Sequence, residues 1–384
     1  MRDSSNVRPL SDSINIQSGF AFKSKEYTDS GHFLVRIGNV QDGYLSLENP
    51  KYVTLDCKTA RFDLQEGDFL TSLTGNIGRV ARVENFHLPA AMNQRVARLS
   101  VKCQTTLNKA YLFHFLSSNF FKEALSSIGH GAAQQNVSPK AIGDIEIPLP
   151  PPPEQKRIVA ILDDALERIG VAVANAEKNL ANARELFESY LNLVFTQKGE
   201  GWVEKPLGEV CVLQRGFDLP KPLRSKGEFP LVSSSGIIDS HIEAKVAGPG
   251  VVTGRSGSIG KVFYVEEDFW PLNTVLYVKE FFGNEPQFVY HLLHQIDLEK
   301  FAGGTGVPTL NRNNVHGVSV SITEDVGKQR RIIDQLDQLS SATQRLETLY
   351  RKKLDDLAEL KQSILQKAFR GELTSNDNKE GAAA

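Results

Sequence analysis

The chain has 384 residues, of which 40% are hydrophobic and 23% are charged, and its formal net charge is −2. This length predicts two folded domains with connectors rather than one core, and the composition is ordinary for a folded protein. The near-neutral charge excludes nucleic-acid binding through bulk charge, so any such surface must come from local clusters.

The sequence shows no pattern typical of membrane insertion, secretion or metal binding by cysteines. No run approaches the twenty apolar residues that span a bilayer, and the first residues do not resemble a signal peptide. Cys57, Cys103 and Cys211 are far apart and lack metal-binding spacing. We therefore expect a cytoplasmic protein with no metal site and no membrane partner.

The first domain is predicted at residues 1–152. Short apolar runs between glycines predict irregular β structure, at residues 33–37, 69–73, 80–83 and 96–101. Apolar residues near helical spacing then predict one helix over about residues 107–128.

A long helix is predicted at residues 153–200, after a proline-rich stretch and with Glu154 in its first turn. Its apolar positions alternate in steps of four and three, which is a sustained heptad. They are Leu162, Leu166, Ile169, Val173, Ala176, Leu180, Ala183, Phe187, Tyr190 and Val194.

The second half repeats this order. It predicts a domain at 201–327, with strands at 251–253, 262–265 and 275–278 and a helix at 287–301. A second long helix follows at 328–372, and a disordered tail at 373–384. The heptad of this helix is rougher and runs through Ile332, Leu336, Leu339, Thr343, Leu346, Tyr350, Leu354, Leu357, Ile364 and Ala368.

Individual residues repeat as well as elements. Gln155, Leu162 and Asp163 return as Gln329, Leu336 and Asp337, and Gln17, Gly19 and Phe20 return as Gln214, Gly216 and Phe217. Phe113-His114 also returns as Tyr290-His291, and both histidines are expected to be core or half-buried side chains without a chemical role. A long helix with one apolar stripe needs a partner. We therefore predict an α+β fold of two duplicated domains, separated by two long helices that pack as an antiparallel coiled coil with pseudo-twofold symmetry.

Catalytic motifs are missing. The turns at 75–79 and 254–261 do not have the spacing of a phosphate-binding loop. Asp239, Glu243 and Lys245 resemble the acidic residues and lysine of metal-dependent nucleases, but no second element accompanies them. We therefore predict no catalytic, metal or cofactor site, and keep a self-contained nuclease as an alternative.

The stretch Pro-Leu-Pro-Pro-Pro-Pro-Glu-Gln-Lys-Arg-Ile at 148–158, the duplicated helices and the Gly-x-Ile-Gly-Arg/Lys-Val turns resemble the specificity subunit of type I restriction–modification systems. The resemblance covers residues 8 to about 373. The second junction, residues 321–331, departs from this pattern because it lacks the prolines.

The resemblance implies two target recognition domains that bind the halves of an asymmetric, interrupted double-stranded DNA sequence. It also implies two methyltransferase (M) subunits docked on the helices, and restriction (R) subunits recruited through them. S-adenosylmethionine, ATP and magnesium are then expected on the partner subunits. A coiled-coil interaction protein with two partner-binding domains remains an alternative from the residues alone.

The residues expected to contact DNA are polar side chains around the glycine turns and the segments that follow. Arg79 and Lys261, present in both copies, are expected to contact phosphate. The full set is Ser72, Thr74, Asn76, Arg79, Asn93, Gln94, Arg95, Gln134, Gln135 and Asn136 in the first domain, and Arg255, Ser256, Ser258, Lys261, Asn273, Thr305, Asn311 and Arg312 in the second.

Overall fold

The computed structural model describes residues 7–128, 136–196, 200–303 and 308–374. The chain divides into two compact units, called unit 1 (residues 1–175 and 353–384) and unit 2 (residues 176–352). Each unit contains one globular domain and a part of each long helix.

Unit 1 contains mostly short strands. In chain order they are β1 (Val7–Pro9), β2 (Ile14–Ser18), β3 (Tyr27–Thr28), β4 (His32–Val35), β5 (Tyr52–Val53), β6 (Phe69–Ser72), β7 (Val80–Arg82), β8 (Ala90–Met92), β9 (Val96–Val101) and β10 (Glu146–Pro148). The helices are α1 (Leu10–Ser13), α2 (Lys109–Leu116), α3 (Asn119–Ile128), α4 (Pro139–Gly143) and the long α5 (Pro152–Phe195), which continues into unit 2.

Unit 2 repeats this pattern. Its strands are β11 (Val203–Pro206), β12 (Val212–Arg215), β13 (Phe229–Ser233), β14 (Gly236–His241), β15 (Gly250–Gly254), β16 (Val262–Val265), β17 (Trp270–Pro271), β18 (Val275–Glu280), β19 (Ala302–Gly303), β20 (Thr309–Leu310) and β21 (Ser319–Ile322). Its helices are α6 (Pro286–Gln295), α7 (Arg312–His316) and α8 (Val326–Phe369), which continues into unit 1.

The sheets show the duplication directly. An antiparallel four-stranded sheet has the order β2-β9-β6-β7 in unit 1 and β12-β18-β15-β16 in unit 2. Each unit also closes its terminal strands into an antiparallel pair, β1 with β10 and β11 with β21. The predicted α+β fold with duplicated domains and two long helices is confirmed.

The helix predicted at 107–128 is two helices, and the prediction of one was wrong. Ser117 donates its hydroxyl to the Phe113 carbonyl at 2.8 Å, and Ser118 donates to the Phe115 carbonyl at 2.6 Å. The Ser118 hydroxyl also accepts from the Phe121 amide at 3.4 Å, so it caps the next helix. Serine side chains that bond to the backbone compete with the helical ladder, which explains the break.

The helix predicted at 287–301 is also shorter than expected. α6 ends at Gln295 because Ile296 is extended, and a single 3-10 turn covers Leu298–Phe301. The first two residues of the tail predicted to be disordered are placed in the structure, where Leu373 packs on the core and Thr374 is buried. The rest of that tail lies outside the described residues.

The long helices pack in opposite directions within each unit. In unit 1, Ile158 and Leu162 of α5 share a core cluster with Leu365 and Ala368 of α8. In unit 2, Tyr190 of α5 donates to the side chain of Gln335 of α8 at 3.1 Å. All ten heptad residues predicted in α5 are buried or half-buried. Because residues near the start of α5 meet residues near the end of α8, and Tyr190 near the end of α5 meets Gln335 near the start of α8, the two helices run antiparallel.

The apolar stripe predicted along α8 is wrong at one position. Leu346, predicted in the stripe, is 38% exposed, and the adjacent Glu347 is half-buried instead. Glu347 accepts from Arg184 of α5 at 3.3 Å and from Arg351 of its own helix at 2.7 Å. The heptad predicts an apolar side chain on this half-buried face of the helix. A carboxylate can lie there instead because two guanidinium groups donate hydrogen bonds to it.

A buried glutamine joins each globular domain to its long helix. Gln155 is fully buried; its side-chain oxygen accepts from the Asn108 amide at 2.8 Å, and its nitrogen donates to the carbonyls of Thr106 and Pro150. Asn108 is the N-cap of α2. The glutamine thus fixes the start of the domain helix against the first turn of α5.

Gln329 makes the equivalent joint in unit 2. It is fully buried, its oxygen accepts from the Glu285 amide at 2.9 Å, and its nitrogen donates to Asn284 and to the Thr323 carbonyl, both at 2.7 Å. Glu285 is the N-cap of α6. The repeated glutamine therefore has a structural explanation in both copies.

Both repeated histidines are buried, as predicted, and each faces an aspartate of a long helix. His114 Nε2 lies 2.8 Å from Asp163 Oδ1 of α5, within hydrogen-bond distance. His291 lies 3.8 Å from Asp337, and neither of its ring nitrogens has a hydrogen-bond partner among the residues that the structure describes. Both carboxylate oxygens of Asp337 instead accept from the side-chain Nε2 of Gln287, at 2.9 and 2.7 Å. Burial lowers the pKa of His114, and it lowers the pKa of His291 to about 4.

Candidate nucleic-acid interface

The glycine turn of unit 1 connects β6 to β7. Gly75 and Gly78 have φ angles of +70° and +81°, which a side chain would strain. Ser72 donates its hydroxyl to the Asn76 carbonyl inside the turn. Arg79 donates to the side-chain oxygen of Gln41 at 2.6 Å. Hydrogen bonds on both sides therefore fix the shape of this turn.

Three predicted polar clusters come together at this turn. The Leu73 amide donates to the Arg95 carbonyl, and the Val137 amide donates to the Leu73 carbonyl, both at 2.9 Å. Thr74 forms an antiparallel bridge with Asn136. The glycine turn, the Asn93–Arg95 segment and Asn136 are therefore neighbours. Gln134 and Gln135 lie outside the described residues.

The predicted residues of unit 1 differ in exposure. Asn76, Gln94, Arg95 and Asn136 are exposed, and Thr74 and Arg79 are half-buried. Ser72 and Asn93 are only 1% and 8% exposed. The buried Ser72 hydroxyl supports the turn from inside, and the four exposed side chains are the better placed to reach a base or a phosphate.

Unit 2 builds the same arrangement from different residues. The Arg255 amide donates to the Thr274 carbonyl at 2.9 Å, and the Leu310 amide donates to the Arg255 carbonyl at 2.8 Å. Ser256 forms an antiparallel bridge with Thr309. Arg255 therefore occupies the backbone position that Leu73 occupies in unit 1.

The remaining predicted residues of unit 2 lie on and around this turn. Lys261, Asn311 and Arg312 are exposed, and Arg255, Ser256, Ser258 and Asn273 are half-buried. Asn311 is the N-cap of α7 and accepts from the Asn313 amide at 3.0 Å. Asn273 donates to the Asp218 carboxylate. Thr305 lies outside the described residues.

The repeated Gln-x-Gly-Phe motif explains how these segments are positioned. A Cβ atom on Gly19 would lie 2.3 Å from the Asn93 carbonyl oxygen, and one on Gly216 would lie 2.2 Å from the Leu272 carbonyl oxygen. Only glycine allows so close an approach of two backbones. In both units the motif therefore sets the path of the polar segment that begins at Asn93 or just after Leu272.

A hollow of about 460 Å³ opens beside the turn of unit 2. Its walls carry Arg215, Arg255, Arg312 and Asn314. The sequence reasoning missed Arg215 and Asn314. Arg215 follows Gln214 inside the repeated motif, but only the pairing of β12 with β18 brings it near the turn.

The residues of the nuclease alternative do not form a metal site. Lys245 pairs with Glu243 at 3.3 Å and lies over the Trp270 ring, while Asp239 is exposed. Within the described ranges, no group of three or more histidine, cysteine or acidic residues could hold a metal ion. Across the same ranges, no helix has an apolar stretch sufficient to cross a bilayer.

Two known proteins with similar sequences match this chain, one over nearly its whole length and one over half of it. The specificity subunit of the type I restriction enzyme EcoBI from Escherichia coli is 24% identical over 422 residues, covering 96% of this chain and 86% of that protein. The specificity subunit of MjaVIII from Methanocaldococcus jannaschii is 28% identical over 198 residues, covering 50% of this chain and 45% of that protein. The chain thus spans less than half the length of the second relative.

Two solved structures share the fold. A chain from a type I restriction–modification system has a TM-score of 0.76 at 19% identity, covering 96% of this chain and 98% of that chain. The HsdS subunit of Thermoanaerobacter tengcongensis has a TM-score of 0.59 at the same identity and coverage. The pattern that defines the type I restriction modification DNA specificity domain matches residues 3–179 and 199–362. The chain therefore belongs to the family of type I restriction–modification specificity subunits.

Proposed function

We propose that this chain is the DNA-reading subunit of a type I restriction–modification complex and has no catalytic activity of its own. It binds an asymmetric target of two half-sites, and each globular domain reads one of them. The observation that carries the proposal is the duplicated frame with different polar residues at equivalent places, such as Leu73 and Arg255, which share one backbone pattern. Two such surfaces suit two different half-sites, because base edges are distinguished by the side chains presented to them.

The long helices are proposed to dock two methyltransferase subunits, through which restriction subunits join the complex. Support comes from apolar side chains on these helices that the chain itself leaves uncovered. In unit 2, Leu186, Leu193 and Leu349 are 49%, 57% and 58% exposed. Leu186 and Leu193 lie seven residues apart and therefore on one face of α5. Apolar side chains exposed together on one face, unlike single exposed residues, are typical of protein–protein contact surfaces. S-adenosylmethionine, ATP and magnesium are proposed to bind the partner subunits.

The first experiment compares adenine methylation across the genome of the host with this gene intact and deleted. We expect the deletion to abolish one motif of two short half-sites separated by a fixed gap. A purified complex of this chain with the methyltransferase subunit should then methylate only duplexes that carry both half-sites. An unchanged methylation pattern, together with a purified complex that does not distinguish the duplexes, would contradict the proposal.

A further inference from the structure

The hollow beside the turn of unit 2 is lined by positively charged side chains, although the whole chain has a net charge of −2. Its lining includes three arginines, Arg215, Arg255 and Arg312, together with Asn311 and Asn314, and the described lining residues include no carboxylate. The three arginines come from β12, from the glycine turn and from the start of α7, so separate segments of the chain converge there. The hollow is therefore a local cluster of positive charge.

Little of this charge is neutralised by neighbouring acids. Arg215 donates to both oxygens of Asp218, at 3.0 and 3.1 Å. Arg255 donates to a backbone carbonyl, that of Asn273, at 3.4 Å. Arg312 makes no ion pair within the part of the chain that the structure describes. Within the described residues, Arg215 alone of the three has a carboxylate partner, which leaves the hollow with excess positive charge.

His316, at the end of α7, is consistent with this field. Burial, and then the nearby Arg312 guanidinium, lower the pKa of His316. Its Nε2 accepts a hydrogen bond from the Leu213 amide at 2.9 Å, which requires that nitrogen to be unprotonated. The neutral histidine therefore ties β12, the strand that carries Arg215, to α7 without adding a further charge.

The equivalent places in unit 1 carry no cation. Arg215 corresponds to Ser18, since each follows the repeated glutamine of the motif. Arg255 corresponds to Leu73, which has the same backbone partners. Arg312 corresponds to Pro139, since each follows the N-cap of a short helix. The shared frame therefore forms without these arginines, and folding alone does not account for them.

We propose that this hollow binds a phosphate of the DNA backbone beside the half-site read by unit 2, with Arg215 and Arg312 as its principal donors. The proposal rests on the proposed function, because it names a contact of the same DNA. Guanidinium groups converging from several walls match a phosphate, which accepts hydrogen bonds on several oxygens. A guanine edge, by contrast, is satisfied by one bidentate arginine.

The test measures the affinity of the complex with its methyltransferase subunit for a target duplex and a random duplex across a range of salt concentrations. The variants are Arg215→Ala, Arg312→Ala and Arg312→Lys. The control is Lys279→Ala, which removes an exposed charge from the end of β18 in the globular domain of the same unit. Thermal unfolding checks that each variant is folded.

We expect each alanine variant to lower the slope of log affinity against log salt by about one and to weaken both duplexes by the same factor. Arg312→Lys should keep the slope, since a lysine still supplies a point charge to a phosphate. The control should leave the slope unchanged.

Two results would overturn the inference. One is an unchanged slope in both alanine variants. The other is an Arg312→Lys variant that loses preference at a single base position, which would assign the arginine to a guanine instead. If the unsubstituted complex does not prefer the target duplex over the random one, the proposed function fails rather than the phosphate contact.

Discussion

At the scale of single residues, the repeated glutamine shows how a motif can mark a joint rather than a binding site. Gln155 and Gln329 are fully buried and each makes three hydrogen bonds, one of them to the N-cap amide of a domain helix. Buried amide groups need such partners, because an unpaired donor or acceptor is costly away from water. The repeated residue therefore holds each domain on its helix.

Replacing Gln329 with alanine should destabilise unit 2 by about 2 to 4 kcal/mol, because the Glu285 amide and the Thr323 carbonyl lose their partner. Denaturant unfolding of the chain measures this loss. Gln338→Ala on the exposed face of the same helix is the control and should change stability by about 0.5 kcal/mol or less. Equal losses in the two variants would contradict the role assigned to Gln329.

His291 should make stability depend on pH. Its pKa is lowered to about 4 by burial, so the unfolded chain, in which the histidine has an ordinary pKa near 6.5, binds the proton more tightly. Stability from this group is complete above pH 6.5 and falls as the pH drops towards 4. Between pH 7 and 5 we expect a loss of about 2 kcal/mol.

A His291→Leu variant should lack that part of the pH dependence. Unfolding of both proteins in denaturant at pH 7 and pH 5 provides the comparison. Because burial also lowers the pKa of His114, the variant should retain some loss of stability in acid. Superimposable pH profiles for the two proteins would show that His291 does not titrate as its environment implies.

At the scale of elements, the long helices combine a regular apolar stripe with one polar substitution. Every side chain predicted at a heptad position of α5 is buried or half-buried. In α8 the stripe passes through Glu347, which bonds to Arg184 of α5, rather than through Leu346. Helix periodicity predicts which face is covered, but a charged pair can hold a position on that face when both partners are present.

The two faces of α8 provide a direct comparison of leucines. Leu336 is fully buried in the core of unit 2, whereas Leu349 on the same helix is 58% exposed. Leu336→Ala should cost about 2 to 5 kcal/mol because it leaves a cavity. Leu349→Ala should change the stability of the isolated chain by about 0.5 kcal/mol or less.

Thermal and denaturant unfolding measure both leucine variants. The proposed docking surface adds a second readout, since Leu349→Asp should weaken capture of the methyltransferase subunit without lowering the stability of the chain. If Leu349→Asp captures the partner as well as the unsubstituted chain does, this leucine lies outside the docking surface.

At the scale of the whole molecule, each unit has its own hydrophobic core. The cluster of unit 1 contains Leu112 of α2, and that of unit 2 contains Leu292 of α6. Contiguous regions with separate cores open as separate cooperative units, with different free energies of opening. The division into units is therefore expected to appear in the dynamics of the chain.

Leu112→Ala and Leu292→Ala form a matched pair for this prediction, since the two leucines are 0% and 1% exposed. Hydrogen exchange measured by mass spectrometry should accelerate in the strands of unit 1 for the first variant and in those of unit 2 for the second. Acceleration spread equally over both units in either variant would mean that the chain opens as one unit.

The sequence by itself determined the duplication, the α+β class, the two long helices and the family. These properties depend on patterns that run along the chain, namely a repeat and a heptad, and such patterns are read without knowing which distant segments meet. The heptad of α5 was predicted at all ten positions for this reason, and the glycine turns were located because their glycines recur in both halves.

Only the tertiary structure decided where the helix after residue 107 breaks and that Glu347 replaces Leu346 on the covered face. It also showed that Ser72 and Asn93 are buried, and that Arg215 joins Arg255 and Arg312 at one hollow. The helix break depends on serine hydroxyls that compete for nearby carbonyls, which apolar spacing does not reveal. The other features depend on contacts between distant segments, such as a guanidinium on the partner helix and the pairing of β12 with β18. The repeat determined the frame, whereas side chains brought together by folding determined the surface that would meet DNA.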